Sequence, residues 1–181
     1  MKILHGTIAL ILILAFTLPV FAEQTVTISG GVSVKIPDKF KQLSNSSHNN
    51  RKFLDKSSNI LLIVHSHSNL EEKQYEYYVE NEKRRQIFNE KFINSFIPER
   101  RGVYPSYKLI NYKNFDFNGL YGMKIKGEIT DSDSYAGSWI NSDYLFFNNK
   151  TVYGLTLYCP EDIYHKHEKM LDDMAKSIKI K

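Results

Sequence analysis

Apolar and polar positions change period several times along the chain, and each change predicts a boundary. Near the C-terminus, Tyr144-Leu145-Phe146-Phe147 and Thr151 to Cys159 are β-rich runs separated by Asn148-Asn149-Lys150, which predicts a hairpin. In its second arm Tyr153, Leu155, Leu157 and Cys159 point one way and Val152, Gly154, Thr156 and Tyr158 the other. Neither set carries a charge, so both faces are expected to be covered. Pro160, Glu161 and Asp162 then suit the first turn of a helix, where a missing N–H costs little and negative charge meets the helix dipole. Ile163, His167, Met170, Leu171, Met174 and Ile178 follow at spacings of three and four, an apolar stripe opposed by Lys166, Lys169, Asp172, Asp173 and Lys176.

Upstream, Val26 and Ile28 precede Gly30-Gly31, and Val32, Val34 and Ile36 follow, a second hairpin pattern. Lys39 to Arg51 is polar and is expected as a surface loop. Phe53 to Asp55 reads as a short strand and Asn59 to His67 as a longer one, apolar on both faces. From Leu70 to Ile97 the spacing predicts one long helix or two shorter ones. Tyr75, Tyr78, Val79, Ile87, Phe88, Phe92, Ile93, Phe96 and Ile97 form its stripe, which breaks around Glu82 to Gln86. Asn69 serves as N-cap and Pro98 as the stop, and Glu99 to Ser106 is a connector.

Tyr107 to Phe117 and Leu120 to Thr130 make a third hairpin around Asn118-Gly119. In its second arm Lys124, Lys126 and Glu128 alternate with Met123, Ile125 and Ile129, so this strand is expected to show one face to water near a sheet edge. Asp131 to Gly137 is a loop, and Ser138 to Phe147 opens the last hairpin. The pattern as a whole gives about seven to eight strands with helices in the middle and at the end. That is an α+β fold, an antiparallel β-sheet built from hairpins with helices packed on both faces.

One resemblance follows from these residues. The run Val152-Tyr153-Gly154-Leu155-Thr156-Leu157, the Pro-Glu-Asp start of the helix and the closing Ser177-Ile178-Lys179-Ile180 resemble the C-terminal signature of the PsbP-like superfamily, which includes DcrB-type exported bacterial domains. The likeness extends through Val32 to Pro37 and Leu70 to Ile97. It implies an α/β/α sandwich and a protein that docks on larger complexes or chaperones partners. The matched positions are packing positions, so no site residue is carried over.

Residues 1–22 change the picture of the whole. Lys2, the apolar run Ile8 to Phe16, and Leu18-Pro19-Val20-Phe21-Ala22 read as a secretory signal peptide cleaved after Ala22. The remainder, 23–181, is one domain, exported to the periplasm or secreted, with no further segment able to span a membrane. The net charge of +4 comes from interleaved basic and acidic residues, a pattern that does not indicate nucleic-acid binding. Cys159 is the one cysteine, so no intramolecular disulfide forms, and its place at a strand end predicts a small buried residue.

Candidate chemistry is sparse. No nucleophile motif, phosphate loop or cofactor signature is present, and the chain is read as non-enzymatic without a cofactor. His65 and His67, two apart on a strand, point to one face and are the candidate metal ligands, with Asp55, His48 or Glu71 as a conceivable third. His165 and His167 lie about 200° apart around a helix and do not share an ion. Asp131 and Asp133 lack the rest of a calcium loop. Aromatic residues are abundant, with 12 Tyr and 11 Phe, more than one core layer needs. Tyr75, Tyr78, Tyr104, Tyr107, Tyr135 and Trp139 are therefore candidates for a partner-binding surface. The leading expectation is an exported binding or assembly protein with a protein partner in the cell envelope or extracellular space. A His65/His67 metal site and a carrier of small apolar ligands, with its pocket between sheet and long helix, are the alternatives.

Overall fold

The C-terminal hairpin is the middle of the larger sheet. In the computed structural model, which describes residues 22–28, 31–67, 81–117, 119–132, 135–148 and 151–180, the strands are β1 (Glu23–Ile28), β2 (Val32–Pro37), β3 (Lys41–Gln42), β4 (Asn50–Asp55), β5 (Ile60–His67), β6 (Lys108–Phe117), β7 (Leu120–Ser132), β8 (Tyr135–Asn148), β9 (Thr151–Pro160) and β10 (Lys179–Ile180). The helices are α1 (Glu82–Val103) and α2 (Glu161–Lys176). Seven strands form one antiparallel sheet in the order β3-β4-β5-β9-β8-β7-β6, and β1-β2-β10 form a second, smaller one. The turn between β6 and β7 closes on Gly119, at φ 78, a dihedral glycine takes without a Cβ penalty.

Alternation along the central strands sorts the core into two layers, as the uncharged faces of β9 require. Even positions of β9 and odd positions of β5, β7 and β8 face α1, where Phe88, Ile93 and Phe96 pack on Met123, Ile125, Leu145 and Phe147. The opposite positions, among them Leu62, Val64, Phe146, Leu155 and Leu157, pack beneath the small sheet and α2. The α+β reading with helices on both faces holds. The N-terminal hairpin lies in its own sheet, tied to the end of the chain through the pairing of β2 with β10.

Four local expectations change. First, α1 does not stop at Pro98 but continues to Val103, so 99–103 are helix and not connector. Asn94 and Pro98 are both exposed, so the carbonyl that Pro98 leaves without an N–H faces water. The last turn is held by Arg100 and Arg101, which hydrogen-bond Asp143, Tyr158 and the Tyr107 carbonyl. Second, the lysine face of β7 is not exposed. Lys124 is buried under α2, where it pairs with Glu168 at 3.0 Å and Asp172 at 2.8 Å, and the edge strand is β6. This also shifts the buried side of α2 toward Tyr164, Leu171, Met174 and Ala175. Third, strand continues through most of 131–137, with β7 reaching Ser132 and β8 starting at Tyr135.

The fourth change is a β-bulge at Ile110. Leu109 pairs with Gly127 and Asn111 with Lys126, so one residue of β6 is extra. Tyr107 and Phe115 have the same parity, yet Tyr107 packs under α1 and Phe115 on the opposite face against Tyr144 and Phe146.

Candidate functional site

A carboxylate lies in the middle of the apolar layer beneath α1. Asp143 occupies a position of β8 between the inward Asn141 and Leu145, and it is wholly buried. Burying an unpaired charge is costly, so its partners are the first question. Arg100, on the helix turn beyond Pro98, donates from Nη2 to Asp143 Oδ1 at 2.9 Å and from Nη1 to the Tyr158 hydroxyl at 3.1 Å. Thr156, opposite Asp143 in the β8–β9 register, donates its hydroxyl to the same Oδ1 at 2.5 Å. His65 Nε2 lies 3.1 Å from that hydroxyl oxygen. A continuous polar chain thus runs His65, Thr156, Asp143, Arg100 and Tyr158 across three strands and the helix.

The electrostatics follow from burial and pairing. Burial pushes the Asp143 carboxyl above its ordinary range, while the Arg100 guanidinium and the Thr156 hydroxyl pull it back. Burial works against the charge on Arg100 most strongly, but Asp143 together with Tyr158, Tyr107 and Glu99 more than offsets it and the guanidinium is held above its usual value. For His65, burial, reinforced by His67 and Arg100, brings the imidazole down to about 3, so the ring is neutral at ordinary pH. Its seat is Gly154, directly across the β5–β9 ladder. A Cβ there would lie 2.1 Å from the ring, which is why the strand carries glycine at this point.

His65 forms part of the floor of a cleft of about 340 Å³ between the sheet and α1. Ile63, Leu145, Val152, Phe92, Phe96 and Tyr158 provide its apolar and aromatic walls, and Arg100 stacks on Phe96 with its guanidinium carbon 4.8 Å from the ring centre. Asn50, His67 and Glu99 supply further polar groups. Two buried polar atoms of the lining, His65 Nδ1 and Asn50 Oδ1, have no hydrogen-bond partner among the described residues. A larger groove of about 520 Å³ runs between β2 and α2, but its lysines are largely engaged: Lys35 with Glu23, Lys39 with Asp55 and Lys169 with Asp173.

The residues singled out from the sequence separate in space. His65 and His67 share one face, with ring centres 4.9 Å apart. Asp55 faces the opposite layer, bound to Lys39 and Ser57, and His48 sits in the turn before β4. Glu71 lies outside the described residues. Among the described residues no three His, Cys, Asp or Glu side chains come together as a metal cluster. Tyr107 and Trp139 are buried in the layer under α1, and Tyr104 is half-buried with its ring 5.9 Å from that of Tyr158. Tyr75 and Tyr78 lie outside the described residues, as does the Tyr135 side chain. Among the described residues the exposed large apolar ones are instead Val103, Ile110 and Tyr112. Cys159 is buried, and burial pushes its thiol up to about 12.

Asp143, Thr156, Arg100 and Tyr158 carry the polar chain without having been singled out from the sequence. A signal was present. Asp143 shares its face of β8 with Trp139, Leu145 and Phe147, and a charge in an inward apolar register is the informative exception. Arg100 carried none, because its side of Pro98 reads as connector.

No family model matches the chain, and no curated protein matches it. Solved structures do. Cyanobacterial PsbP (CyanoP) from Synechocystis superimposes with a TM-score of 0.65 at 12% identity, covering 91% of this chain and 96% of that one. The Ran-binding protein Mog1p of Saccharomyces cerevisiae gives 0.54 at 9% identity, with 88% and 96% covered. LpqN of Mycobacterium tuberculosis, described as involved in cell envelope biogenesis, gives 0.51 at 9% identity, with 87% and 90% covered. The chain has the PsbP-like fold, and at these identities the likeness extends to the fold alone.

Proposed function

We propose that this protein is an exported, non-enzymatic binding or assembly module whose protein partner engages the cleft beneath α1. The observation that carries the reading is the cleft floor. His65 is fixed from below by the Thr156–Asp143–Arg100 chain, while its other ring nitrogen has no partner among the described residues and lies beside aromatic walls. Such a pairing of an apolar pocket with a few fixed polar groups suits recognition. A binding role is favoured over catalysis because the Thr156 hydroxyl is buried and held at both ends, and His65 is a weak base. The described structural neighbours include a Ran-binding protein and a protein of cell envelope biogenesis, roles compatible with this reading. Among the described residues no helix is long and apolar enough to cross a membrane.

Export is supported by Lys2, the apolar run Ile8 to Phe16 and the small residue Ala22. Protein recovered from the envelope fraction of its host is expected to begin at Glu23, and an intact Met1 in cytosolic material would refute export. For the cleft, affinity capture from the same fraction compares the unmodified chain with Phe92→Glu, and with Tyr112→Asp as a control on the β6 edge. A partner lost with the first and kept with the second supports the reading. A partner unaffected by Phe92→Glu would end it.

A further inference from the structure

The polar chain beneath α1 also fixes which proton His65 carries. Asp143 Oδ1 accepts from the guanidinium of Arg100, which has only donors, and from Thr156. A hydroxyl has one proton, and Thr156 has given it to Asp143. Toward His65, 3.1 Å away, the Thr156 oxygen therefore acts as acceptor, and Nε2 must carry the ring hydrogen. In a neutral imidazole the other nitrogen is then a bare lone pair. Nδ1 is that nitrogen; it is buried and without a partner among the described residues, and His65 is 9% exposed. Nothing in the chain leaves Nδ1 free to turn away, because the ring is seated against Gly154 and anchored at Nε2.

The surroundings complete the selection. Asn50, directly opposite His65 in the β4–β5 register, presents a second unpartnered acceptor, its carboxamide oxygen. Arg100 is paired with Asp143 at 2.9 Å, and the lining also carries the Glu99 carboxylate. Phe92, Phe96 and Tyr158 offer aromatic faces, and Ile63 and Val152 apolar area, on the way to these acceptors. Acceptors at the floor, an acid on the lining and aromatic walls match a positively charged donor on an apolar stem. A cleft of about 340 Å³ is near the lower limit of ligand sites, room for one amphipathic side chain or a small amine.

Resting on the reading of this cleft as the binding site, we infer that it receives an alkylammonium group, the lysine-type side chain of a partner, donated to His65 Nδ1. The test uses butylammonium chloride as the probe, with sodium butyrate and butanol as controls, on the mature chain with labelled histidine nitrogens. Long-range nitrogen–proton spectra are expected to show His65 as a single Nε2–H tautomer. Butylammonium is expected to move the Nδ1 resonance to saturation, while neither control does so at the same concentration. His65→Gln, checked for folding by its amide spectrum, should weaken butylammonium binding about tenfold or more. If that variant does not fold, Glu99→Gln at the exposed end of the lining should reduce the preference for butylammonium over butanol. An Nδ1–H tautomer, equal or tighter binding of butyrate, or no response to butylammonium overturns the inference. Those outcomes leave the partner-capture result standing, and a negative capture leaves the probe result standing, so the two readings fail separately.

Discussion

Arg100 of α1 and Asp143 of β8 meet at 2.9 Å across the layer that joins helix to sheet, and the carboxylate is entirely out of water. Removing one member strands the other as a buried charge, a loss on the order of 3–5 kcal/mol. Arg100→Met is therefore expected to destabilise the domain by about that much, and Arg100→Met/Asp143→Leu to recover a large part of it. Urea unfolding of the two singles and the double measures the coupling. Additive losses would show that the pair does not act as a unit.

His65 gives the fold a particular acid sensitivity. Its folded value is depressed to about 3 from 6.5, so between these limits the unfolded chain binds a proton that the native one refuses. The stability it contributes is fully present above pH 6.5 and declines as pH falls toward 3, by about 1.4 kcal/mol per pH unit within the window. His65→Asn is expected to flatten the stability profile in that range. An unchanged slope in the variant would mean that the ring titrates in the folded protein.

Gly154 and His65 are expected to be coupled sterically. A Cβ at 154 meets the imidazole at 2.1 Å, and the ring is held at Nε2, so Gly154→Ala should cost about 1–3 kcal/mol. Adding His65→Ala to that variant vacates the space and should make the glycine substitution nearly silent. Thermal melts of the double-mutant cycle test this, and a Gly154→Ala loss that persists without the ring would point to backbone conformation instead.

On the opposite face, Asp55 is buried against Lys39 and Ser57. Burial pushes its carboxyl up, but the Ser57 and Lys39 hydrogen bonds and the Lys39 charge prevail and bring it down from 3.8 to about 2. Its contribution, about 2 kcal/mol, is present above pH 3.8 and is lost as pH falls through about 2. Asp55→Asn is expected to lower stability at neutral pH and to remove that part of the acid limb below pH 3.8. Equal losses at pH 7 and pH 2 would contradict it.

The layers of this fold were legible where alternation was uninterrupted. The uncharged faces of β9 announced a strand covered on both sides, and the stripe beyond Pro160 announced the helix that covers one of them. The lysines of β7 misled because a strand pattern records polarity and not what lies opposite. Lys124 is buried through Glu168 and Asp172 on α2, 44 and 48 residues further along. The cleft was half visible. His65 drew notice as a histidine, but its role depends on Thr156, Asp143 and Arg100, which only the strand order and the continuation of α1 past Pro98 bring together.

The extra residue at Ile110 limits how this chain is free to vary in length. β6 serves the α1 layer through Tyr107 and the α2 layer through Phe115 and Phe117, positions of one parity that reach opposite faces only through the bulge between them, so count and bulge are tied together. Losing Ile110 alone would close the bulge and restore simple alternation with Tyr107 and the two phenylalanines still on their own sides, whereas losing one residue while the bulge stays would turn those phenylalanines toward the wrong helix and take Asn114 from its bond to Asn89. Lengthening or shortening by two would keep every anchor on its own side. Among divergent chains of this fold, even-numbered length changes in this segment should therefore keep the bulge, and single-residue changes should come with its loss or with a second one.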